Sequence, residues 1–325
     1  MGVNTHFIAI ICVMIVTVIV ASPTTTSNED SQLRDLSKSL QAFGTKLYSS
    51  IAKNSGQKNI LFSPFSIETS LAMMRLGATG QTAQEIDNDQ LELRDQFNEL
   101  LEKNFFASAE NVNFTQNIKT AEKINSWVEA KTNHLITDLI SADDLDENTR
   151  VVLLNAIYFK GEWLQPFFVP VTRQKNFYVD ATNYVSVEMM LTFGQFRYGK
   201  IDQLDATAVA MPYKNTDLYM IVILPNSRDG LDDLRIKLQS YSLQELRDNM
   251  AETMIQVEMP KFKTEYKIEL SEILERLGIE RLFTDAELDK MIISKEGLQV
   301  SKVLHKAIIE VNEKGTEAAA ATGMY

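Results

Sequence analysis

One stretch near the C-terminus constrains the fold more than any other. VSKVLHKAIIEVNE (Val300 to Glu313) puts Val303, His305, Ala307, Ile309 and Val311 on one face at period two, the signature of a strand with a buried side. It continues through Gly315 into Thr316-Glu317-Ala318-Ala319-Ala320-Ala321-Thr322-Gly323. Alanine has the best helix propensity, so the bland reading is a frayed helical tail. Here, however, the alanines prolong a strand through a glycine. At period two Thr316, Ala318, Ala320 and Thr322 share a face, all small and uncharged, while Glu317 falls on the other. Such a stretch can slide between two strands and bury one side at little steric or desolvation cost. Gly315 is the expected hinge.

Upstream, the chain changes texture once. Leu33, Leu36, Leu40, Phe43, Leu47 and Ile51 recur at steps of three and four, the stripe of an amphipathic helix. Residues 23–32 are polar and are expected to be disordered. An extended NILFS, a break at Ser63-Pro64 and a helical SIETSLAMMRLG closed by Gly77 follow. Gln96 to Phe106 and Ala121 to Ile140 also read as helices. From Val151 onward VVLLNAIYF, NFYVDA, ATAVAMPY and LYMIVILP are rich in β-branched and aromatic residues and predict strands. SLQELRDNM predicts a helix, IQVEMPKFK a strand and IELSEILERLG a helix. The class is α+β, with helices mostly first and a large mixed or antiparallel sheet after. Neither a repeat nor a long linker divides the chain.

The first residues are of another kind. Phe7 to Val20 is an almost unbroken apolar run ending in Ala21-Ser22-Pro23. It is short for a membrane span, which needs about 20 apolar residues. Its small flanking residues suit signal-peptidase cleavage after Ala21, so residues 1–21 are read as a signal peptide and 22–325 as a single exported domain. Cleavage removes Cys12, the sole cysteine, and leaves a chain that its core alone must hold. Asn113-Phe114-Thr115 is a candidate glycosylation sequon.

Chemistry is scarce. Thirty-two basic against 44 acidic side chains give 32 − 44 = −12, with no basic run, which argues against nucleic acid. One cysteine and three histidines all but exclude a Cys/His zinc site, and no metal or cofactor is expected. GxSxG, HExxH, GxGxxG and GxxxxGK[ST] do not occur. The acidic SADDLDENTR has Thr149 at the turn position of a calcium loop and Asn155 at its bidentate position, so it reads as a solvated loop. His305, on the apolar face of a strand, is read as a core histidine with a buried amide or hydroxyl partner rather than as a base. A binding or regulatory protein is favoured over an enzyme.

At the Gly315 hinge the chain resembles a serpin. Ile60 to Ile86 is similar to the family's helix B–helix C signature, and Ile124 to Ile136 resembles helix F. Thr149 to Phe167 is similar to the third strand of sheet A, and Met259 to Lys263 and Val300 to Gly323 complete the set. The resemblance implies a serpin fold, helices packed on a large central mixed sheet with smaller antiparallel sheets. By position it implies that Ser63, Ser66, Asn155 and His305 form the shutter under sheet A. Trp163, Lys261 and Glu313 match the breach, where insertion begins. Glu313, Lys314, Gly315, Thr316, Glu317, Ala318, Ala319, Ala320, Ala321 and Thr322 match the hinge of inhibitory members.

The implied function is that of the insect-like secreted serine protease inhibitors, a suicide substrate that traps an extracellular protease by inserting its loop. The mechanism is a known serpin example. No membrane partner is expected, and the inhibitor is expected to be a monomer. Two departures stand out. The sequence stops at Tyr325, inside the reactive loop, so the scissile bond is not in the chain and the fold is read as incomplete. Ile86 to Val112 is too short for helix D and the neighbouring strand of sheet A. Those losses put activity of this chain in question, and a non-inhibitory serpin-like binding or storage protein is the alternative.

Overall fold

The computed structural model describes residues 27–55, 59–88, 112, 114–132, 134–145, 149, 151–157, 161–288 and 299–316. The predicted Gln96–Phe106 helix lies outside them. So do Asn113, the segment from Glu317 onward and residues 1–21, the expected signal peptide. Two compact units emerge, each assembled from separate stretches of chain. That interleaving is why no linker marks a boundary in the sequence.

One unit comprises Ser27–Tyr158 and Glu265–Ile308. Its first helix, α1 (Ser27–Ser55), begins inside the segment expected to be disordered. Phe43, Leu47 and Ile51 are at most 1% exposed, and burying each contributes about 1.5–3 kcal/mol. They pack with Ile67 and Leu71 of α2 (Pro64–Gly77) and with Leu270, Leu274 and Leu282. Ser63 caps α2 by accepting from the Ser66 amide, and Pro64 takes the first-turn position where no amide is missed. The next helix, α3 (Gly80–Asn88), follows at once.

The helix α4 spans Asn117–Lys131 rather than Ala121–Ile140. The chain leaves it through His134 at φ 63°, and this left-handed residue ends the helical path. Ile136, Leu139 and Ile140 are then buried without being helical, packing on Leu304 and Ile308. Strand β1 (Val151–Ile157) lies parallel to β9 (Val300–Val311), with Leu153 opposite Val303 and Asn155 opposite His305. The predicted single buried face of β9 proves to be two. Val303 faces the α1–α2 core, whereas Leu304 and Ile308 face the α4 cluster.

The other described unit comprises Phe159–Thr264 and the chain from Ile309 on. It holds an antiparallel sheet in the order β3 (Arg173–Tyr178), β4 (Tyr184–Ile201), β5 (Ala206–Pro212), β6 (Tyr219–Pro225), with β7 (Ala251–Pro260) on β4. Helices α5 (Leu231–Leu238) and α6 (Leu243–Asp248) cover one face through Leu234 and Leu246. IQVEMPKFK is not one strand: β7 stops at Pro260, whose ring cannot donate to a ladder, and β8 (Phe262–Glu269) restarts beyond Lys261. That second strand takes in Ile268 and Glu269, so the following helix α7 is only Ser271–Arg276. The sequence stripe had merged the two elements.

Candidate functional site

Two clusters gather the residues singled out by sequence, one in each unit. In the first, His305 is fully buried on β9, and its Nε2 accepts the backbone N–H of Ser63 at 3.3 Å. The neutral ring therefore keeps its proton on Nδ1. Burial pulls the imidazole down to about 4. Ser63 also takes the Ser66 amide on its hydroxyl at 3.2 Å, so the cap of α2 and the histidine meet at one residue. Asn155 stands beside His305 in strand register. The structure thus brings Ser63, Ser66, Asn155 and His305 together.

Next along β9 is a residue that sequence reading missed. Lys306 is 1% exposed, yet its ammonium is paired with Asp138 at 2.5 Å and Glu265 at 2.6 Å. Burial alone lowers an ammonium, but the two carboxylates outweigh it and hold Lys306 above its ordinary value. No local signal marks the group, because its partners lie far away in sequence. The acidic loop gives a related surprise. Asp144 accepts from the Ser141 amide and hydroxyl at 2.9 and 2.8 Å and pairs with Lys302 at 3.2 Å. Burial opposes ionisation there, yet these contacts bring its carboxyl down to about 2, so the segment is anchored rather than merely solvated.

The second cluster is built around Trp163, which is 2% exposed and stacks on Tyr213 with centroids 4.7 Å apart. Its indole Nε1 donates to the Asn312 carbonyl at 3.0 Å, and its backbone amide donates to the Lys314 carbonyl at 2.9 Å. Glu313 accepts from the Thr172 hydroxyl at 2.9 Å and pairs with Lys261 at 3.4 Å. Burial raises the Glu313 carboxyl, but its own amide, Thr172 and Lys261 together hold it below the usual range. Trp163, Lys261 and Glu313 are therefore brought together.

Past Glu313 the chain reverses. The Asn312 side-chain oxygen accepts the amides of Lys314 and Gly315 at 3.0 and 3.2 Å, an Asx turn. Gly315–Thr316 form a short strand β10, with Thr316 antiparallel to Val311 and Gly315 opposite Glu162 of β2 (Gly161–Glu162). A Cβ on Gly315 would meet the Gly161 carbonyl oxygen at 2.1 Å, so glycine is required by close approach and not by a left-handed φ. Thr316 is 1% exposed, and its hydroxyl lies 2.7 Å from the Tyr213 hydroxyl rather than against backbone alone. Tyr213 was legible only as the end of a strand. Glu317, Ala318, Ala319, Ala320, Ala321 and Thr322 lie outside the described residues.

Among the described residues no His, Cys, Asp and Glu side chains group as a metal site, and no helix is long and apolar enough to cross a membrane. The family profile described as Serpin (serine protease inhibitor) matches residues 38–89 and 87–325. The chain is 34% identical to Serine protease inhibitor 42Dd of Drosophila melanogaster, over 86% of this chain and 85% of that protein. It is also similar to a solved structure of cleaved Serpin 42Da, with 38% identity, a TM-score of 0.79 and 87% of both chains covered. Uncleaved ovalbumin is more distant at 25% identity, with a TM-score of 0.76 over 86% of this chain and 90% of that one. By profile, by sequence and by fold, the chain belongs to the serpin family, most of whose members inhibit serine proteases.

Proposed function

We propose that the protein is an extracellular inhibitor of a serine endopeptidase, acting as a suicide substrate by loop insertion. The observation that carries this reading is β10. Its two residues leave β9 through a tight turn and pair back antiparallel at the sheet end, in the direction an inserting loop must travel. Thr316 enters a slot that accepts a small hydroxyl and offers it Tyr213 as partner. Side by side, β1 and β9 are the strands that must part for insertion to continue. In this reading the His305–Ser63 contact with Asn155 and Ser66 is the shutter, and Trp163, Lys261 and Glu313 are the breach.

Each mechanistic step then has a local cause. A protease attacks the exposed loop and forms an acyl-enzyme. Freed at the cut, the loop extends β10 between β1 and β9, and each added pair satisfies backbone groups on both neighbours. The energy released drags the protease away before deacylation. Export as a single domain, residues 22–325 after a 21-residue signal peptide, fits the apolar N-terminal run. The profile matches in two pieces that overlap at residues 87–89, which supports a missing helix D region there. A binding or storage role is the second reading, favoured by the likeness to ovalbumin.

Incubation with trypsin-, chymotrypsin- and elastase-like proteases decides between them, using a form that carries a scissile bond beyond the hinge. An adduct that survives boiling in detergent is expected. Clean cleavage without adduct would leave the binding reading.

A further inference from the structure

One face of the antiparallel sheet holds a cavity that the trapping mechanism does not use. In the strand register Arg197 stands opposite Ala210 on one side and Glu252 on the other, while Pro212 stands opposite Tyr219. Residues directly opposite share a face, as do residues two apart on a strand, so these five side chains project together. With Arg247 and Met250, at the end of α6 and just beyond it, they enclose about 110 Å³.

Two polar groups in the cavity lack partners. The Tyr219 hydroxyl and Arg247 Nε are buried there without a hydrogen-bond partner. The Arg247 guanidinium carbon sits 5.8 Å over the Tyr219 ring centroid, so the two donors belong to one corner. Arg197 is already engaged: its Nη2 donates to the carbonyls of Arg247 at 2.8 Å and Met250 at 3.2 Å, which pins the end of α6 over the sheet. A buried donor left unmade destabilises a fold, and two in one cavity call for an acceptor from outside. Two guanidiniums against one carboxylate give the lining a formal charge of 2 − 1 = +1. Phe196, Ala210, Pro212 and Met250 supply apolar wall, and Gln195 adds one neutral amide.

We propose that this cavity binds a small organic monocarboxylate. One ligand oxygen takes the Arg247 Nε–H and the Tyr219 O–H meets the other, using the match between guanidinium and carboxylate. A short apolar body lies on Met250, Pro212 and Ala210. Glu252, exposed at the rim, disfavours a second negative charge on the ligand.

Isothermal calorimetry on the full chain, at fixed ionic strength, tests this with isobutyrate, neutral isobutyramide and inorganic sulfate. Isobutyrate is expected to bind at least about tenfold more tightly than either comparison ligand. Arg247→Gln and Tyr219→Phe should each weaken it about tenfold or more. The ligand-free unfolding midpoint of Tyr219→Phe should be unchanged or raised, because an orphaned hydroxyl is removed. Absence of isobutyrate binding, or equal binding by the wild type and both variants, would overturn the site. Isobutyramide or sulfate binding as tightly as isobutyrate would overturn the carboxylate assignment.

Discussion

His305 shows how much one residue can tie together. Period two placed it in a core, and the demand for a polar partner follows from the cost of an unpaired buried group. What the sequence did not disclose is that the partner is the backbone amide of Ser63, because backbone donors leave no trace in residue identity. Protonating Nε2 would break that bond. The ring titrates near 6.5 when unfolded and near 4 when folded, so the unfolded chain binds the extra proton first. Stability is therefore fully present above about pH 6.5 and falls as pH drops toward 4, by about 2 kcal/mol between pH 7 and 5. Denaturant unfolding of the wild type and His305→Asn at those two pH values should show this decrement only in the wild type. Equal pH dependence in both would remove His305 as its source.

At the scale of elements, β9 was legible and its surroundings were only half so. Its alternation was read as a single buried face because Lys302 and Lys306 occupy the other phase. Lys306 is nonetheless in the core, held by Asp138 and Glu265, whose side chains are 79% and 51% exposed. These carboxylates carry a buried charge out toward solvent. Removing them leaves an uncompensated ammonium, whereas replacing the lysine removes the charge and keeps most of the packing. Asp138→Asn with Glu265→Gln should therefore cost about 3 kcal/mol, and Lys306→Met less than about 1.5 kcal/mol, in chemical denaturation. The opposite order would show that lysine packing dominates. The long strand β4 (Tyr184–Ile201) escaped sequence reading because Gly194 and Gly199 interrupt its alternation. The end of α4 escaped because the apolar stripe runs on through Ile136 and Ile140, which are buried without being helical.

For the whole molecule, the α+β class and the serpin fold were readable from ordered motifs along nearly the entire chain, whereas the two interleaved units were not. Contacts among distant stretches define those units, and two of their edges fall inside strands β8 and β9 rather than at a linker. Export predicts a mature N-terminus at Ser22; intact mass of the secreted product should show loss of residues 1–21, and a retained Met1 would contradict it. In the proposed mechanism trapping depends on the slot beside Tyr213, where Thr316 is 1% exposed. An arginine there would put an unpaired charge into that buried slot, so it favours the loop withdrawn from the sheet and opposes its insertion. The decisive measurement is the partition between detergent-stable complex and cleaved inhibitor, in the form carrying the scissile bond, for the wild type, Thr316→Arg and Glu317→Arg. Complex should dominate for the wild type and Glu317→Arg, while Thr316→Arg should shift about tenfold or more toward cleaved product at unchanged cleavage rate. Equal partition for the two arginine variants, or no complex in the wild type, would contradict entry of the loop at Thr316.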